Sequence, residues 1–295
     1  MGWFWALVRG KRLRPVWEFT VRGVIWRLLP TGKGQFVGEE RDIEKKSVSF
    51  FCIRQDTGAV QWAHLRLAES WWIGIEAVHN DVVLLHEFAM PDFPDHKKIH
   101  ALDLSSGRLL WANEDLKYLF ARGDNVYAAR DLTEESLFVE LDGSTGRERR
   151  ELDPQEANSL RRRVQEGIPI DFPIPFPNAG GGRDDVGAAI EKVVAGANRV
   201  RFIEYLQRNE FLAVGYYAAI GSESADPLGE QLLDQHFVIA EMGTGRILYR
   251  EVLNSRASAA VPDAFFGLGD RLYSISGRNV LKAFDLAGTG SPNHD

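Results

Sequence analysis

The chain has 295 residues, of which 44% are hydrophobic and 26% charged, the composition of a folded domain with a sizeable core. Its formal net charge of −7 argues against general affinity for nucleic acid, and its single cysteine, Cys52, excludes an internal disulfide and fits a cytoplasmic protein. No apolar run approaches the roughly 18 residues of a membrane-spanning helix.

The N-terminal segment, residues 1–15, is aromatic and then basic. Its apolar stretch precedes its arginines and lysine, which is the reverse of the order in a secretory signal. Such a segment can make weak peripheral contact with an anionic membrane surface through residues 3–14. The alternative is a tail that packs on the domain or is disordered, and this is the interpretation that we favour.

A repeat runs through the rest of the chain. Its copies are "CIRQDTGAVQW" (52–62), "IHALDLSSGRLLW" (99–111), "ELDGSTGRERR" (140–150) and "AEMGTGRILY" (240–249). Their glycines are Gly58, Gly107, Gly146 and Gly245, and four residues after each stand Trp62, Trp111, Arg150 and Tyr249. A fifth copy, "KAFDLAGTG", ends at residue 290 without a following strand. The missing aromatic residue is Trp17 of "PVWEF", so we expect an N-terminal strand to complete the last sheet.

Each copy is preceded by two short apolar runs separated by Gly, Asn or Asp, as in "AVHNDVVLL" and "ARGDNVYAA". These residues tolerate the positive φ of tight hairpin turns. Each unit therefore reads as four antiparallel strands, which is one blade of a propeller. We predict an all-β fold, a single five-bladed β-propeller over residues 16–288, with a C-terminal tail at 289–295.

Residues 153–199 interrupt the spacing of the repeat between blades 3 and 4. Asp153 and Pro154 are typical of a helix start, and Gly167 of a helix end. A second helix is predicted from "DDVGAAIEKVVAGA", and between the two lies a proline-rich stretch unsuited to a central strand. We predict a helical, proline-rich insertion; a degenerate sixth blade is the alternative.

The repeat is similar to that of the quinoprotein-like (PQQ-repeat) β-propeller superfamily, and Ala101, Asp103, Ser106, Gly107 and Trp111 match it in full. The resemblance implies that each tryptophan docks against the turn of the neighbouring blade and that the Asp and Ser/Thr organise that turn. None of these residues touches a cofactor in the family. The chain also resembles a diverged bacterial family of unknown function, which leaves its activity open.

The resemblance does not extend to quinone chemistry. Quinone-dependent dehydrogenases of this superfamily are larger, eight-bladed and exported, whereas this chain shows five blades and one cysteine. We expect no cofactor, although clustered carboxylates leave a Ca²⁺ ion open. Purified protein should therefore bind no quinone.

Elaborated loops indicate which face carries function. By the blade pattern, the loops at 38–46, 89–98, 131–136 and 220–235 and the insertion all lie on one face, while the opposite face has only tight turns. These loops are rich in acid, including Glu39, Glu40, Asp92 and Asp95. The two interpretations are solvated loop charge and an electronegative mouth that holds a cation or performs glycosidic chemistry.

The second blade has an uneven share of histidine and tryptophan. Four of the seven histidines, His79, His86, His96 and His100, fall there. His96 and His100 are an even number apart, so on a regular strand they share a face and, with Asp92 or Asp95, form a candidate metal site. The spacing in "DHKKIH" is not a familiar metal-binding one, so we predict no metal.

Aromatic residues at the start of the same blade give further candidates. Trp71 and Trp72 begin "WWIGIE", the predicted innermost strand, which also carries Glu76. Core packing is the first interpretation, and a stacking platform for a sugar or ring is the second. The candidate ligand-binding residues are Trp71, Trp72, Glu76, Asp92, Asp95, His96 and His100.

We predict a non-catalytic propeller that binds a protein partner or a small ligand through its loop-rich face. The alternative is a glycan-directed hydrolase with carboxylates at the channel mouth. A pair of carboxyl groups roughly 5 to 9.5 Å apart, one of them desolvated, would favour the enzyme.

Overall fold

The computed structural model describes residues 12–90, 93–132, 136–162, 170–175, 185–197, 199–220, 232–259, 261 and 263–286. The chain divides into two compact units. One is Val21–Pro169, and the other joins the N-terminal segment up to Thr20 to Ile170–Asp295. None of the described helices has the length and apolar character to cross a membrane. The membrane contact expected near the N-terminus falls mostly on residues 1–11, which are outside the described residues.

The unit Val21–Pro169 consists of three antiparallel four-stranded sheets in which sequential strands are neighbours. Sheet 1 contains, in spatial order, β2 (Val24–Pro30), β3 (Gln35–Asp42), β4 (Ser47–Arg54) and β5 (Val60–Leu65). Sheet 2 contains β6 (Ile73–His79), β7 (Val82–Met90), β8 (Phe93–Asp103) and β9 (Leu109–Asn113). Sheet 3 contains β10 (Lys117–Arg122), β11 (Asn125–Asp131), β12 (Ser136–Asp142) and β13 (Glu148–Leu152). Each sheet has the strand order of a propeller blade.

The other unit contains two sheets of the same kind. Sheet 4 has β15 (Val200–Arg208), β16 (Phe211–Ala219), β17 (Leu233–Glu241) and β18 (Ile247–Ala257), with the two-residue strand β14 (Ile174–Pro175) at its edge. Sheet 5 has β19 (Phe265–Leu268), β20 (Arg271–Ser276) and β21 (Val280–Asp285), and its outermost strand is β1 (Trp17–Thr20). Trp17 pairs with Ala283, as expected for an N-terminal strand that completes the last sheet. The five-bladed closed ring stays a prediction.

The predicted tight turns are present. The first two strands of every sheet are joined through a residue with positive φ, and these residues are Gly34, Asn80, Gly123, Asn209 and Gly269. Glycine and asparagine adopt this conformation at little cost, which is why the turn pattern could be found in the sequence.

The repeat turns are organised as the resemblance implies. Asp103 Oδ1 accepts hydrogen bonds from the backbone N–H and the hydroxyl of Ser106, at 2.8 and 2.6 Å. Trp62 of sheet 1 donates its indole N–H to the Leu104 carbonyl at 2.7 Å, and Trp111 of sheet 2 donates to the Gly143 carbonyl at 2.9 Å. Each tryptophan therefore docks on the turn of the following sheet, and the glycine of that turn leaves room for the indole ring.

We expect Gly146→Ala to destabilise the unit through its tryptophan dock. Gly146 has a φ of +70°, and a methyl group added there would lie 2.5 Å from the Trp111 ring. Gly123→Ala is the matched control, because Gly123 has a φ of +57° but open space around it. Both variants strain the backbone, and only the first displaces the indole. Urea unfolding should show Gly146→Ala to be less stable than the control by about 1–3 kcal/mol; equal stabilities would contradict the docking role.

The insertion contains two helices, as predicted. In α1 (Pro154–Arg161) the Asp153 carboxylate accepts the backbone N–H of Glu156 at 2.8 Å, which caps the helix. In α2 (Asp185–Val194) Ile190 and Val193 are buried against sheet 4. The predicted end of the first helix, Gly167, lies outside the described residues.

The turn of the fourth repeat is packed differently from those in sheets 2 and 3. A methyl group added to Gly245 would lie 2.7 Å from Cδ of Lys192 on α2, and the Lys192 ammonium donates to the Thr244 carbonyl at 3.2 Å. The aliphatic part of the Lys192 side chain, which belongs to the insertion, therefore packs on this turn. The third-repeat residue Arg150 instead binds Glu140 and Glu156 within its own unit.

A short strap, residues 170–175, lies along the first strands of sheets 4 and 5. Asp171 exchanges two backbone hydrogen bonds with Gly267 of β19, at 2.9 and 2.8 Å, and its carboxylate pairs with Arg208. Ile174 and Pro175 then pair with Tyr205 and Glu204 of β15. The described part of the proline-rich stretch therefore contributes an edge strand, Ile174–Pro175, rather than a central one.

Candidate functional site

Three side chains of sheet 2 converge on one carboxylate oxygen. Glu76 Oε2 lies 2.7 Å from His96 Nδ1 and 2.8 Å from His86 Nδ1. The two imidazole rings are stacked, with centroids 3.5 Å apart and planes 7° apart. His86 is 3% exposed, and neither of its ring nitrogens has a partner with hydrogen-bond geometry among the described residues. Its contact with Glu76 is therefore a close approach rather than a well-formed hydrogen bond.

Two irregularities in the strands create this cluster. On β6 the pairing shifts between Ile75 and Ala77, so Glu76 is an extra residue that the partner strand does not match. On β8 the pairing shifts by one residue between Lys97 and His100, where Lys98 has a φ of +58°. Such bulges re-aim side chains beside functional sites.

The second bulge corrects the expectation that His96 and His100 share a face. His96 pairs with Phe88, on the side of His86, whereas His100 pairs with Leu85 and contacts Glu87 at 3.1 Å. The even spacing fails because one residue of the strand is bulged out. His100 is therefore not part of the cluster.

A line of aromatic contacts leads from the cluster to the surface. Phe88 meets both histidine rings edge-on, with centroid distances of 4.9 Å to His86 and 5.3 Å to His96. Phe88 also contacts Trp72 at 6.3 Å, and Trp72 is 37% exposed. Trp71 instead packs against the apolar core that sheets 1 and 2 share. Trp71 therefore belongs to the core, whereas the exposed ring of Trp72 is accessible to a ligand.

The first strand of sheet 2 is fixed by charged side chains from sheet 1. Arg41 donates to the carbonyls of Trp71 and Ile73, at 3.1 and 2.9 Å, and pairs with Glu39 at 2.6 Å. Glu39 in turn accepts the backbone N–H of Ile75 at 3.0 Å. Among the described strands none pairs with this edge of β6, so these bonds satisfy its backbone groups and hold the backbone on either side of Glu76. Arg27 adds a bond to the Ile75 carbonyl at 2.7 Å.

The carboxylate of the cluster is ionised. Burial by itself raises the pKa of Glu76, but the contacts with His86 and His96 outweigh it and hold that pKa below its ordinary value. Burial and the negative charge of Glu76 together raise the pKa of Tyr118 on β10, so the Tyr118 phenol stays protonated. The Glu76 carboxylate of sheet 2 therefore acts electrostatically on the first strand of sheet 3.

The remaining candidate residues are engaged elsewhere or not described. Asp95 pairs with Lys117 at 2.6 Å, and Lys117 also pairs with Asp131 at 2.5 Å. Asp92 lies outside the described residues. Two of the three cluster residues, Glu76 and His96, were among the candidates predicted from the sequence, whereas His86 was not. The concentration of histidines in this stretch of the sequence indicated the site. His86 was missed because the two bulges that bring these side chains together are not visible in the sequence.

The acidic mouth predicted at residues 38–46 needs a correction. Glu39 and Glu40 lie in strand β3 and are buried, not in a solvated loop. Glu40 accepts the backbone N–H groups of Arg22 and Gly23, both at 2.8 Å, and the Ser49 hydroxyl at 3.0 Å. Both carboxylates therefore stabilise the fold rather than form a ligand surface.

Two further features lie away from the cluster. On β15, burial and then the charge of Asp263 raise the pKa of Glu204, whose Oε1 is buried without a hydrogen-bond partner among the described residues. At the tight-turn end of sheets 2 and 3 there is a cavity of about 320 Å³ beside Asp81 and Asp142. The tight-turn face therefore has a cavity where only tight turns were expected. The two aspartates beside it are in ion pairs, Asp81 with Lys33 and Asp142 with Arg149.

The sequence matches one family over residues 29–111, the family described as Domain of unknown function (DUF4905). The matched stretch covers less than half of the chain and includes all three residues of the cluster. None of the curated proteins compared with the chain matches it.

Solved structures with similar chain traces include propellers. BamB from Moraxella catarrhalis is 11% identical, with a TM-score of 0.29 over 96% of this chain and 99% of that one. The Cps50 (Swd1) beta-propeller domain of Myceliophteria thermophila is 10% identical, with a TM-score of 0.35 over 91% and 98%. A europium-containing methanol dehydrogenase is 14% identical, with a TM-score of 0.32 over 90% of this chain and 52% of the enzyme. Similarity at this level carries no information about activity.

Proposed function

We propose that the protein is a non-catalytic binding module whose small ligand contacts sheet 2 at the loop-rich end, beside Trp72. The observation that supports this most directly is the continuous path from the exposed Trp72 ring through Phe88 to the polar cluster. An exposed aromatic face next to a fixed polar group is the usual composition of a site for a sugar or another ring-shaped ligand.

The carboxylates at this end support binding rather than acid–base catalysis. A glycosidase needs one carboxyl group that stays protonated near neutral pH. Here the pKa of Glu76 is lowered, Asp95 is paired with Lys117, and Glu87 is paired with Lys98 and His100. Carboxylates held in such pairs can position a ligand, but they are not placed to act as a proton donor.

A ligand-observed NMR screen of monosaccharides, oligosaccharides and small ring compounds tests the proposal. We expect hits whose binding weakens at least tenfold in Trp72→Ala, because the ring supplies the stacking surface. Phe202→Ala is the control, since Phe202 is 59% exposed on sheet 4. The proposal is wrong if every hit survives Trp72→Ala, or if the screen yields no hit at all.

A hydrolase remains the second candidate because of Glu204. Its raised pKa and its position beside the charge of Asp263 are features of a general acid. If this site hydrolyses glycosides, purified protein should release p-nitrophenol from a panel of p-nitrophenyl glycosides, and Glu204→Gln should abolish the release. We expect no release that depends on Glu204; a Glu204-dependent rate would replace the binding proposal.

A further inference from the structure

We propose that Glu76, His86 and His96 bind a divalent transition-metal ion, with Zn²⁺ as the best match to their chemistry. One ligand atom from each residue lies within 4.8 Å of the other two. Donor atoms around a tetrahedral zinc ion with bonds of about 2.0–2.1 Å lie about 3.3–3.4 Å apart, so small movements of the three side chains place them around one ion. The inference rests on the same site as the proposed ligand-binding function, and it concerns what that site holds.

The buried histidine is the observation that points to an ion. His86 is almost completely buried, yet neither of its ring nitrogens has a hydrogen-bond partner among the described residues. Buried imidazoles normally have partners, because an unpaired polar atom away from water is costly. Its Nδ1 has only the 2.8 Å contact with Glu76 Oε2, which lacks hydrogen-bond geometry, and a metal ion bound there gives this atom a directed bond.

The donor set selects the kind of metal. Two imidazole nitrogens and one carboxylate oxygen suit Zn²⁺ and its transition-metal neighbours, whereas Ca²⁺ and Mg²⁺ prefer oxygen ligands alone. Three protein ligands also leave a position for a water molecule or for an atom of a bound ligand. The side chains of His96 and Glu76 are 34% and 17% exposed, so the ion can enter from the side of His96.

Outer contacts hold the ligands in place. A methyl group added to Gly74 would lie 3.4 Å from His86 Nε2 and 3.1 Å from Glu39 Oε2, so the absence of a side chain there lets the His86 ring and the β3 carboxylate both approach the backbone of β6. Phe88 packs edge-on against both rings and limits their rotation.

The test uses the metal alone, on the full chain after treatment with a chelator. Isothermal titration with Zn²⁺ should give one equivalent per chain, and Co²⁺ should give visible absorption of a site with nitrogen ligands. Glu76→Gln and His96→Ala should each weaken Zn²⁺ binding by more than about 100-fold, since even residues outside the ligand set cost 10–100-fold. His79→Ala and His100→Ala should bind as the parent chain does, because neither residue is in the cluster.

Thermal unfolding with and without Zn²⁺ provides the second measurement. Zn²⁺ should raise the midpoint of the parent chain and of both control variants, but not that of Glu76→Gln. His96→Ala removes a partly exposed ring and should still fold, which its midpoint without metal will show. Sub-stoichiometric Zn²⁺ binding, or binding that is unchanged in Glu76→Gln and His96→Ala, overturns the inference. Because no organic ligand is added, a failed ligand screen and a failed metal titration are separate results.

Discussion

Deletion of residues 1–20 should destabilise the protein globally. The deletion removes β1, which pairs with β21 from Trp17–Ala283 to Thr20–Val280, and it exposes the edge of β21 to solvent. It also removes Trp17, which is buried and packs on Tyr273 with a centroid distance of 5.9 Å. Loss of a buried tryptophan side chain alone typically costs about 3–5 kcal/mol, a large part of the 5–15 kcal/mol that a domain usually has.

The control for this experiment is a shorter deletion. Removal of residues 1–12 leaves β1 intact, together with the hydrogen bond from the Val16 N–H to the Ala283 carbonyl, and should change the unfolding midpoint little. Urea unfolding followed by tryptophan fluorescence and circular dichroism measures both. If the 1–20 deletion unfolds at the same urea concentration as the full chain, β1 does not stabilise sheet 5.

The second large effect is expected at Arg41. Replacing Arg41 by Met leaves the buried carboxylate of Glu39 without its ion-pair partner and leaves two carbonyls of the adjoining backbone without donors. Breaking a buried ion pair by removing one partner typically costs about 3–5 kcal/mol. We expect a loss of this size in chemical unfolding, and a weaker affinity for Zn²⁺ because the backbone around Glu76 is no longer held.

The double variant Glu39→Met/Arg41→Met separates the ion pair from the strand edge. A buried ion pair can often be replaced by apolar residues without loss. Here the pair also bonds the Trp71 and Ile73 carbonyls and the Ile75 N–H, so the double variant should recover only part of the lost stability. Full recovery would mean that these backbone bonds contribute nothing measurable. Lys45→Met is a suitable control, because Lys45 forms only an exposed pair with Asp42.

The sheets could be predicted because their signals are local in sequence. A Gly or Asn in each hairpin turn, an Asp-x-x-Ser-Gly turn and a tryptophan four residues later act within a few residues of one another, as at Asp103, Gly107 and Trp111. The cap of α1 is also a contact between near neighbours, from Asp153 to Glu156. Local chemistry of this kind determines these elements whatever the rest of the chain does.

The site could be predicted only in part, since it depends on contacts that are distant in sequence. A bulge at Lys98 needs a positive φ at a residue type that gives no sign of it, and this shift of one residue separates His100 from His96. The burial of Glu39 depends on Arg41 and on a backbone N–H 36 residues away. The concentration of histidines correctly indicated sheet 2. Which of these histidines contact Glu76 depends on the bulges in β6 and β8.

The strap at residues 170–175 has a consequence for the behaviour of the protein in concentrated solution. It hydrogen-bonds along the edges of β15 and β19, two strands that would otherwise present unpaired backbone groups. Open edges of this kind are templates on which a strand from another molecule can add, and that addition is a first step of aggregation. We therefore expect the strap to protect the solubility of the unit that contains sheets 4 and 5, and variants that lack it to become turbid before they lose secondary structure.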